Sequence, residues 1–470
     1  MLFNSFTFLV FLPIVFAGYW LLARRRMWQN MFVVVASYFF YGYWDWRFLS
    51  LIALTTLSSW MAGCLMDRQN ASSTMRKTVN ILNIVLNVGI LCVFKYLNFF
   101  AESFSSLLNA IGFQADMPTL HIILPVGISF YTFQAIGYSI DVYRRKISAT
   151  DDFMAFAAYI SFFPQLVAGP IERATNLLPQ FLQSRHFSYD QASDGCRQML
   201  WGFFKKVVVA DNCAVTVNMV WGDYANYSPT MLVIVALLFS IQIYCDFSGY
   251  SDIAIGTAKL FGIRLSTNFR TPYFSHDIPD FWRRWHISLM TWFRDYIYIP
   301  LGGSRQGMIR TLRNTFIVFF ISGLWHGANY TFIVWGLFHA MLFLPYIIRK
   351  QRHSTTSNTS PFAIMGTFIL VTIGWIIFRA PTITDAINYI TDIFTTSWTL
   401  SDMSGYKPMM VALICLAVEW LQRSREHALD FSHNHGIIRF APVRWLVYYA
   451  LLFSLNALSA QQESFIYFQF

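Results

Sequence analysis

Long apolar runs recur along the whole chain, and each is close to the ~20 residues a helix needs to cross a bilayer at 1.5 Å per residue. Candidate spans are 5–23, 28–46, 48–66, 78–100, 122–143, 229–249, 312–324, 328–348, 362–379, 408–422 and 443–458. Shorter or interrupted apolar stretches lie between them, at 153–168, 199–220, 251–263, 281–301 and 384–396. These read as re-entrant or interfacial helices, because irregular backbone at membrane depth needs protein or a water-filled cavity to satisfy it. Composition agrees: 56% of residues are hydrophobic and 12% charged, about half the ~25% charge of a soluble protein. The expected fold is an all-α integral membrane protein with about eleven transmembrane helices. Residues 1–470 form one polytopic domain, with a flexible polar loop at 353–361 and an aromatic tail at 460–470.

The formal net charge of +10 would suggest a nucleic-acid partner in a soluble protein. Here the basic residues stand in short clusters between apolar runs, which the positive-inside rule explains, so nucleic acid is excluded as a partner. Arg24, Arg25 and Arg26 follow the first span, Arg68, Arg76 and Lys77 the third, and Arg144, Arg145 and Lys146 the fifth. That alternation places all three clusters in the cytoplasm and Met1 outside. The first run has no basic segment before it, so it reads as a retained span and not a cleaved signal. The six cysteines have no C-x-x-C spacing and read as small buried residues.

Polar residues inside apolar runs are costly and mark cavities or partners. Four stretches concentrate them: 162–173, 244–256, 281–305 and 322–340. In the last, His326 heads an apolar helix expected to run on to His339, and His326, Asn329 and Tyr330 share one face of the helical wheel. His326 reads either as a histidine capping carbonyls between helices or as a general base held in a pore. In 281–305, Trp282, Trp285 and Trp292 alternate with Arg283, Arg284, His286 and Arg294. An interfacial helix with an aromatic belt and snorkelling arginines explains the Trp and Arg residues, but not His286. Asp246 and Asp252 are expected to hydrogen-bond a broken helix or to pair with a buried arginine such as Arg270 or Arg294. Pro164, Gly169 and Pro170, before Glu172 and Arg173, read as a re-entrant elbow. No hydrolase elbow, Walker loop or H-E-x-x-H motif is present.

Five segments carry a resemblance: PVGISFYTFQ (125–134), FFPQLVAGPIER (162–173), YCDFSGYSDIAIG (244–256), NFRTPYFSHDIPDFWRRWHISL (268–289) and SGLWHGANYTFIVWGLFHA (322–340). The chain resembles the membrane-bound O-acyltransferases, in the branch of alginate O-acetyltransferases and their peptidoglycan-acetylating and D-alanyl-transferring relatives. That resemblance implies a ring of tilted helices around a central tunnel in a bacterial inner membrane. It implies His326 as the catalytic histidine and His286 as its partner, with Trp325, Asn329, Tyr330, Trp285, Arg283 and Arg294 as substrate contacts. It further implies acetyl-CoA as donor substrate, no cofactor and no metal. The acceptor is an exported polysaccharide, reached directly or through a periplasmic acetyltransferase partner.

The tail reads two ways. Phe465, Tyr467, Phe468 and Phe470 form an interfacial aromatic anchor, or the tail folds back to the tunnel mouth and Tyr467 receives the acyl group. A small accessory protein of the D-alanyl-transferring relatives ends in a similar pattern. Two rivals stay open: D-alanyl transfer from a carrier protein, and a transporter or flippase using the same polar residues as a permeation path.

Overall fold

The computed structural model describes residues 1–113, 123–167, 169–351, 360–398, 405–431, 440–460, 463 and 465–466. Among the described residues all regular structure is helical. Most of the 353–361 loop lies outside them, as do Tyr467 and residues 468–470 of the tail. Five segments are long and apolar enough to cross a membrane: Arg26–Asp67, Ser73–Ala110, Pro229–Leu260, Tyr330–Arg349 and Pro361–Arg379, with Phe6–Leu21 shorter. The protein is a multi-pass membrane protein.

Two compact units emerge. The first comprises Met1–Ser188, Phe261–Leu265 and Gly327–Asn329. Its helices are α1 (Phe6–Leu21), α2 (Arg26–Asp45), α3 (Leu49–Asp67), α4 (Ser73–Ala110), α5 (Ile128–Tyr143), α6 (Phe153–Ser161), α7 (Phe163–Leu166) and α8 (Ala174–Leu182). α4 runs 38 residues, well past the expected 78–100. Its buried stripe is polar: Arg76, Asn80, Asn83 and Asn87 recur at helical spacing. Arg76 donates to the carbonyls of Val142 and Tyr143 at 3.1 and 3.0 Å, and Ser139 to Asn80 at 2.9 Å. Between apolar helices these hydrogen bonds fix which faces meet. The elbow at 162–173 holds: α6 ends at Ser161, α7 begins with Pro164 in its first turn, and buried Glu172 accepts from Asn176 at 2.7 Å.

The second unit comprises Tyr189–Leu260, Ser266–His326 and Tyr330–Phe470. Its helices are α9 (Tyr189–Phe203), α10 (Asp211–Trp221), α11 (Pro229–Leu260), α12 (Ile278–Arg284), α13 (Ile287–Phe293), α14 (Met308–His326), α15 (Tyr330–Leu342), α16 (Leu344–Gln351), α17 (Pro361–Arg379), α18 (Ile383–Thr395), α19 (Tyr406–Leu421) and α20 (Ala441–Ala457). The expected break in 244–256 is absent: α11 is one helix of 32 residues, buried along most of its length. α9 lies against it at glycines. A Cβ on Gly202 would stand 2.7 Å from the Gly249 carbonyl oxygen, and one on Gly256 would stand 2.5 Å from that of Gly195. Close backbone approach of this kind is how helices pack without a hydrophobic drive in lipid.

The carboxylates of α11 also differ from expectation. Asp252 and Asp246 pair with lysines, at 2.6 Å from Lys205 and 2.8 Å from Lys206, and not with Arg270 or Arg294. The lysines stand in a π-helical segment, Phe204–Ala210, between α9 and α10. Both lysines are buried there, Lys205 at 3% and Lys206 at 1% exposed. All six cysteines are free; Cys213, Cys245 and Cys415 are buried, while Cys92 and Cys196 are exposed.

Candidate active site

His286 and His326 come from two helix ends in the second unit. The expected single helix from His326 to His339 does not form. α14 ends at His326, residues 327–329 interrupt, and α15 starts at Tyr330. The shared wheel face of His326, Asn329 and Tyr330 therefore does not exist. Asn329 is half-buried within the first unit's residues and Tyr330 is 52% exposed. α14 and α15 instead fold back on each other. A Cβ on Gly323 would stand 2.3 Å from the Phe332 carbonyl oxygen, and one on Gly336 equally close to that of Phe319. This hairpin seats Trp335 against His326, ring centroids 5.0 Å apart, and Phe378 of α17 closes another side at 5.2 Å.

His286 stands in the gap between α12 and α13, outside the five spans, with φ +43 and ψ 54. A left-handed backbone at a non-glycine residue costs on the order of 1 kcal/mol or more and persists where the surroundings impose it. Two backbone bonds do so here: Arg270 N–H donates to Arg284 at 3.0 Å, and Ile287 N–H to Asn268 at 2.9 Å. Asn268 also holds the ring. Its Oδ1 lies 3.0 Å from His286 Nδ1, and accepts from the Ser288 hydroxyl at 2.9 Å and the Ser288 N–H at 3.4 Å. Its Nδ2 donates to Ser251 at 3.2 Å. A backbone N–H can only donate, so oxygen faces His286 and Nδ1 carries the proton. Nε2 keeps a lone pair, and no hydrogen-bond partner meets it among the described residues. Burial pushes this imidazole below its ordinary range, so it is neutral. In that state Nε2 accepts protons and cannot polarise a carbonyl.

Trp325 joins the two imidazoles. Its ring centroid is 5.7 Å from that of His286 and 4.9 Å from that of His326. Phe247 of α11 packs edge-on to His286 at 4.7 Å. His286 and His326 are 1% and 5% exposed, so the site excludes bulk water. Of the other expected contacts, Trp285 is core, packed on Phe281, Phe269 and Trp375. Arg283 and Arg294 have side chains 60% exposed, and their partners are Asp280 at 3.6 Å and Asp295 at 2.7 Å. Neither arginine joins the imidazole cluster. Sequence reading passed over Asn268, Trp335 and Phe378. Asn268 and Trp335 had a signal, in the segments 268–289 and 322–340; eighteen positions separate Asn268 from the ring it orients.

Asn268 also lines a cavity of about 320 Å³, with Lys205, Asp252, Arg270, Arg423 and Arg425 among its walls. Among the described residues no group of three His, Cys, Asp or Glu side chains is arranged to hold a metal ion.

The tail enters the same neighbourhood. Phe465 and Ile466 are 0% and 2% exposed, and Phe465 packs on Tyr250 and on Phe247. Phe465 and Ile466 are therefore neither free nor lipid-facing.

The chain is 37% identical to the probable alginate O-acetylase AlgI of Pseudomonas putida over the full length of both. It is 35% identical to the peptidoglycan O-acetyltransferase of Helicobacter pylori, over 83% of this chain and 79% of that protein. Identity to the teichoic acid D-alanyltransferase of Bacillus subtilis is 28%, over 56% of this chain and 71% of that one. The family model for membrane-bound O-acyltransferases matches residues 38–382, which hold both histidines and stop short of the tail. An enzyme of two buried histidines on paired helix ends, this chain belongs to the membrane-bound O-acyltransferase family.

Proposed function

We propose that this O-acyltransferase moves acetyl from acetyl-CoA, taken up on the cytoplasmic side of a bacterial inner membrane, to a hydroxyl of an exported or cell-wall polysaccharide. The observation that carries the reading is the pair of buried imidazoles joined through Trp325. A hydroxyl is a poor nucleophile until a base takes its proton, and a neutral imidazole suits that task. His326 takes the proton as the hydroxyl oxygen attacks the thioester carbonyl. The C–O bond forms, the C–S bond breaks, and the thiolate leaves and is protonated. His286 Nε2, held open by Asn268, is a second proton acceptor beside it. The indole N–H of Trp335, packed on His326, can only donate and is suited to the developing oxyanion. The basic wall of the cavity at Arg270, Arg423 and Arg425 suits the phosphates of coenzyme A.

The first acceptor hydroxyl is that of Tyr467. Phe465, two residues before it, is buried against Phe247, which touches His286. A phenol, with a pKa of ~10, gives up its proton more readily than a sugar hydroxyl. Its acetyl ester passes the group to a periplasmic partner that holds the glycan. The test is mass spectrometry of cell-wall and secreted glycans with and without the protein, and with Tyr467→Phe, which removes only the hydroxyl. Loss of O-acetyl groups in both, with the variant still inserted in the membrane, is expected. Unchanged acetylation in Tyr467→Phe would return the tail to an anchor. D-alanine in place of acetyl would move the chain to the D-alanyl-transferring branch.

A further inference from the structure

Two buried charges grip the tail by its backbone, and neither belongs to the chemistry above. Lys206 Nζ donates to the Glu463 carbonyl at 3.1 Å, and the Ile466 N–H donates to Asp246 Oδ2 at 2.7 Å. Lys206 and Asp246 are themselves an ion pair, Nζ to Oδ1 2.8 Å. One charge pair therefore holds both ends of the stretch 463–466. Within the stretch, Phe465 packs its ring 4.4 Å from that of Tyr250 and 5.7 Å from that of Phe247. Phe247 in turn lies 4.7 Å from His286. Just upstream, Asn212 donates to the Leu458 carbonyl at 2.7 Å.

The charge balance explains what the tail is doing there. Lys206 also meets Asp211 at 2.7 Å, and all three charged residues are at most 3% exposed. One ammonium thus faces two carboxylates. One ammonium cannot neutralise both, so the pair of carboxylates carries one charge in excess. A buried carboxylate in excess is costly unless hydrogen bonds hold its charge. The Ile466 N–H supplies one, a charge-assisted bond of the stronger kind. The tail completes a network that the rest of the fold leaves one donor short.

We propose that Lys206 and Asp246 form a peptide-backbone clamp, a docking site for the carboxy-terminal segment of this chain. The clamp reads backbone at 463 and 466 and an aromatic ring at 465. It fixes the register of the tail up to Ile466, and Tyr467 is the next residue in sequence. That the clamp serves Tyr467 rests on the relay reading; the docking itself does not. The hydrogen bond at 463 is to the main-chain carbonyl, so it survives a side-chain change there. Removing the Phe465 ring, or the N–H of residue 466, undocks the tail.

Hydrogen exchange of the full-length protein in detergent tests the clamp, read on the peptide 459–470. The Ile466 amide of the wild type should exchange at least about 100-fold more slowly than in the free peptide. Asp246→Ala should abolish that protection while α11 stays protected, since Lys206 keeps Asp211. Free-peptide exchange in the wild type, or protection that survives Asp246→Ala, overturns the clamp. If Asp246→Ala does not purify, Ile466→Pro carries the test, because it removes the N–H and leaves the ion pair intact. The Phe465 amide then speeds up if the clamp is right and is unchanged if it is wrong. In cells, Ile466→Pro should lower glycan O-acetylation at least about 10-fold and Ile466→Val should restore it. A protected wild-type tail with full acetylation by Ile466→Pro would leave the clamp standing and overturn the relay.

Discussion

Consecutive residues of α11 face two different kinds of buried polar chemistry. Asp246 belongs to an ionic layer, where Lys205 and Lys206 meet Asp252, Glu419, Asp246 and Asp211 within 3.7 Å. Phe247 belongs to an aromatic layer that encloses His286. In the ionic layer two lysines face four carboxylates, and its role is to hold the π-helical segment, α10, α11 and α19 together. In the aromatic layer no charge stands against His286 among the described residues, and its Nε2 meets no hydrogen-bond partner there. Buried polarity of the first kind is spent on structure. The second kind leaves capacity for a substrate, and that difference separates site from scaffold in a chain where both look like polar residues in lipid.

Breaking the ionic layer should give the largest effect. Lys205→Met leaves Asp252 and Glu419 without their cation, and removing one partner of a buried pair costs ~3–5 kcal/mol. We expect loss of folded protein in detergent, followed by fluorescence-detected size exclusion. Restoring charge balance with Lys205→Met plus Glu419→Gln should recover part of the yield, and equal yields in both variants would place the layer's role elsewhere.

Disturbing the aromatic layer should spare folding and cut activity. Asn268→Ala frees the His286 ring to take its other tautomer. An outer partner of this sort is worth about 10–100-fold at other histidine sites. The turnover of glycan acetylation per folded molecule should fall by that order, with a lower melting temperature because buried partners of Asn268 lose their bonds. His286→Ala should cost at least as much, and an Asn268→Ala enzyme of full activity would remove the tautomer from the account.

The smallest effect is expected outside both layers. Arg25→Cys, in a background without reactive native cysteines, should leave activity unchanged. An impermeant thiol reagent should label it only after permeabilisation, because the positive-inside rule expects the basic clusters in the cytoplasm. Labelling in intact cells would invert the topology.

Much of this was legible in the sequence, for particular reasons. Hydropathy marks the helices because lipid demands internally satisfied backbone, and His286 and His326 stand out because imidazoles in apolar runs are costly. The end of α14 at His326 was missed: Gly327-Ala328-Asn329 was read as helix, and the glycines at 323 and 336 betray the hairpin only once the two helices are in contact. The partners of Asp246 and Asp252 were missed because Lys205 and Lys206 stand in a π-helical turn, which no periodicity reveals. Asn268 was missed for its distance in sequence from the ring it holds. In the tail, the aromatic pattern was visible, but the backbone bonds that dock it carry no side-chain signature.

The account turns on His326, and one measurement tests it most directly: glycan O-acetylation in cells carrying His326→Ala, with membrane insertion and size-exclusion profile measured on the same protein. Loss of the general base should lower acetylation by roughly 10²–10⁴-fold in a protein that inserts and elutes as the wild type does. A well-folded His326→Ala enzyme that acetylates normally would contradict the assignment of this site.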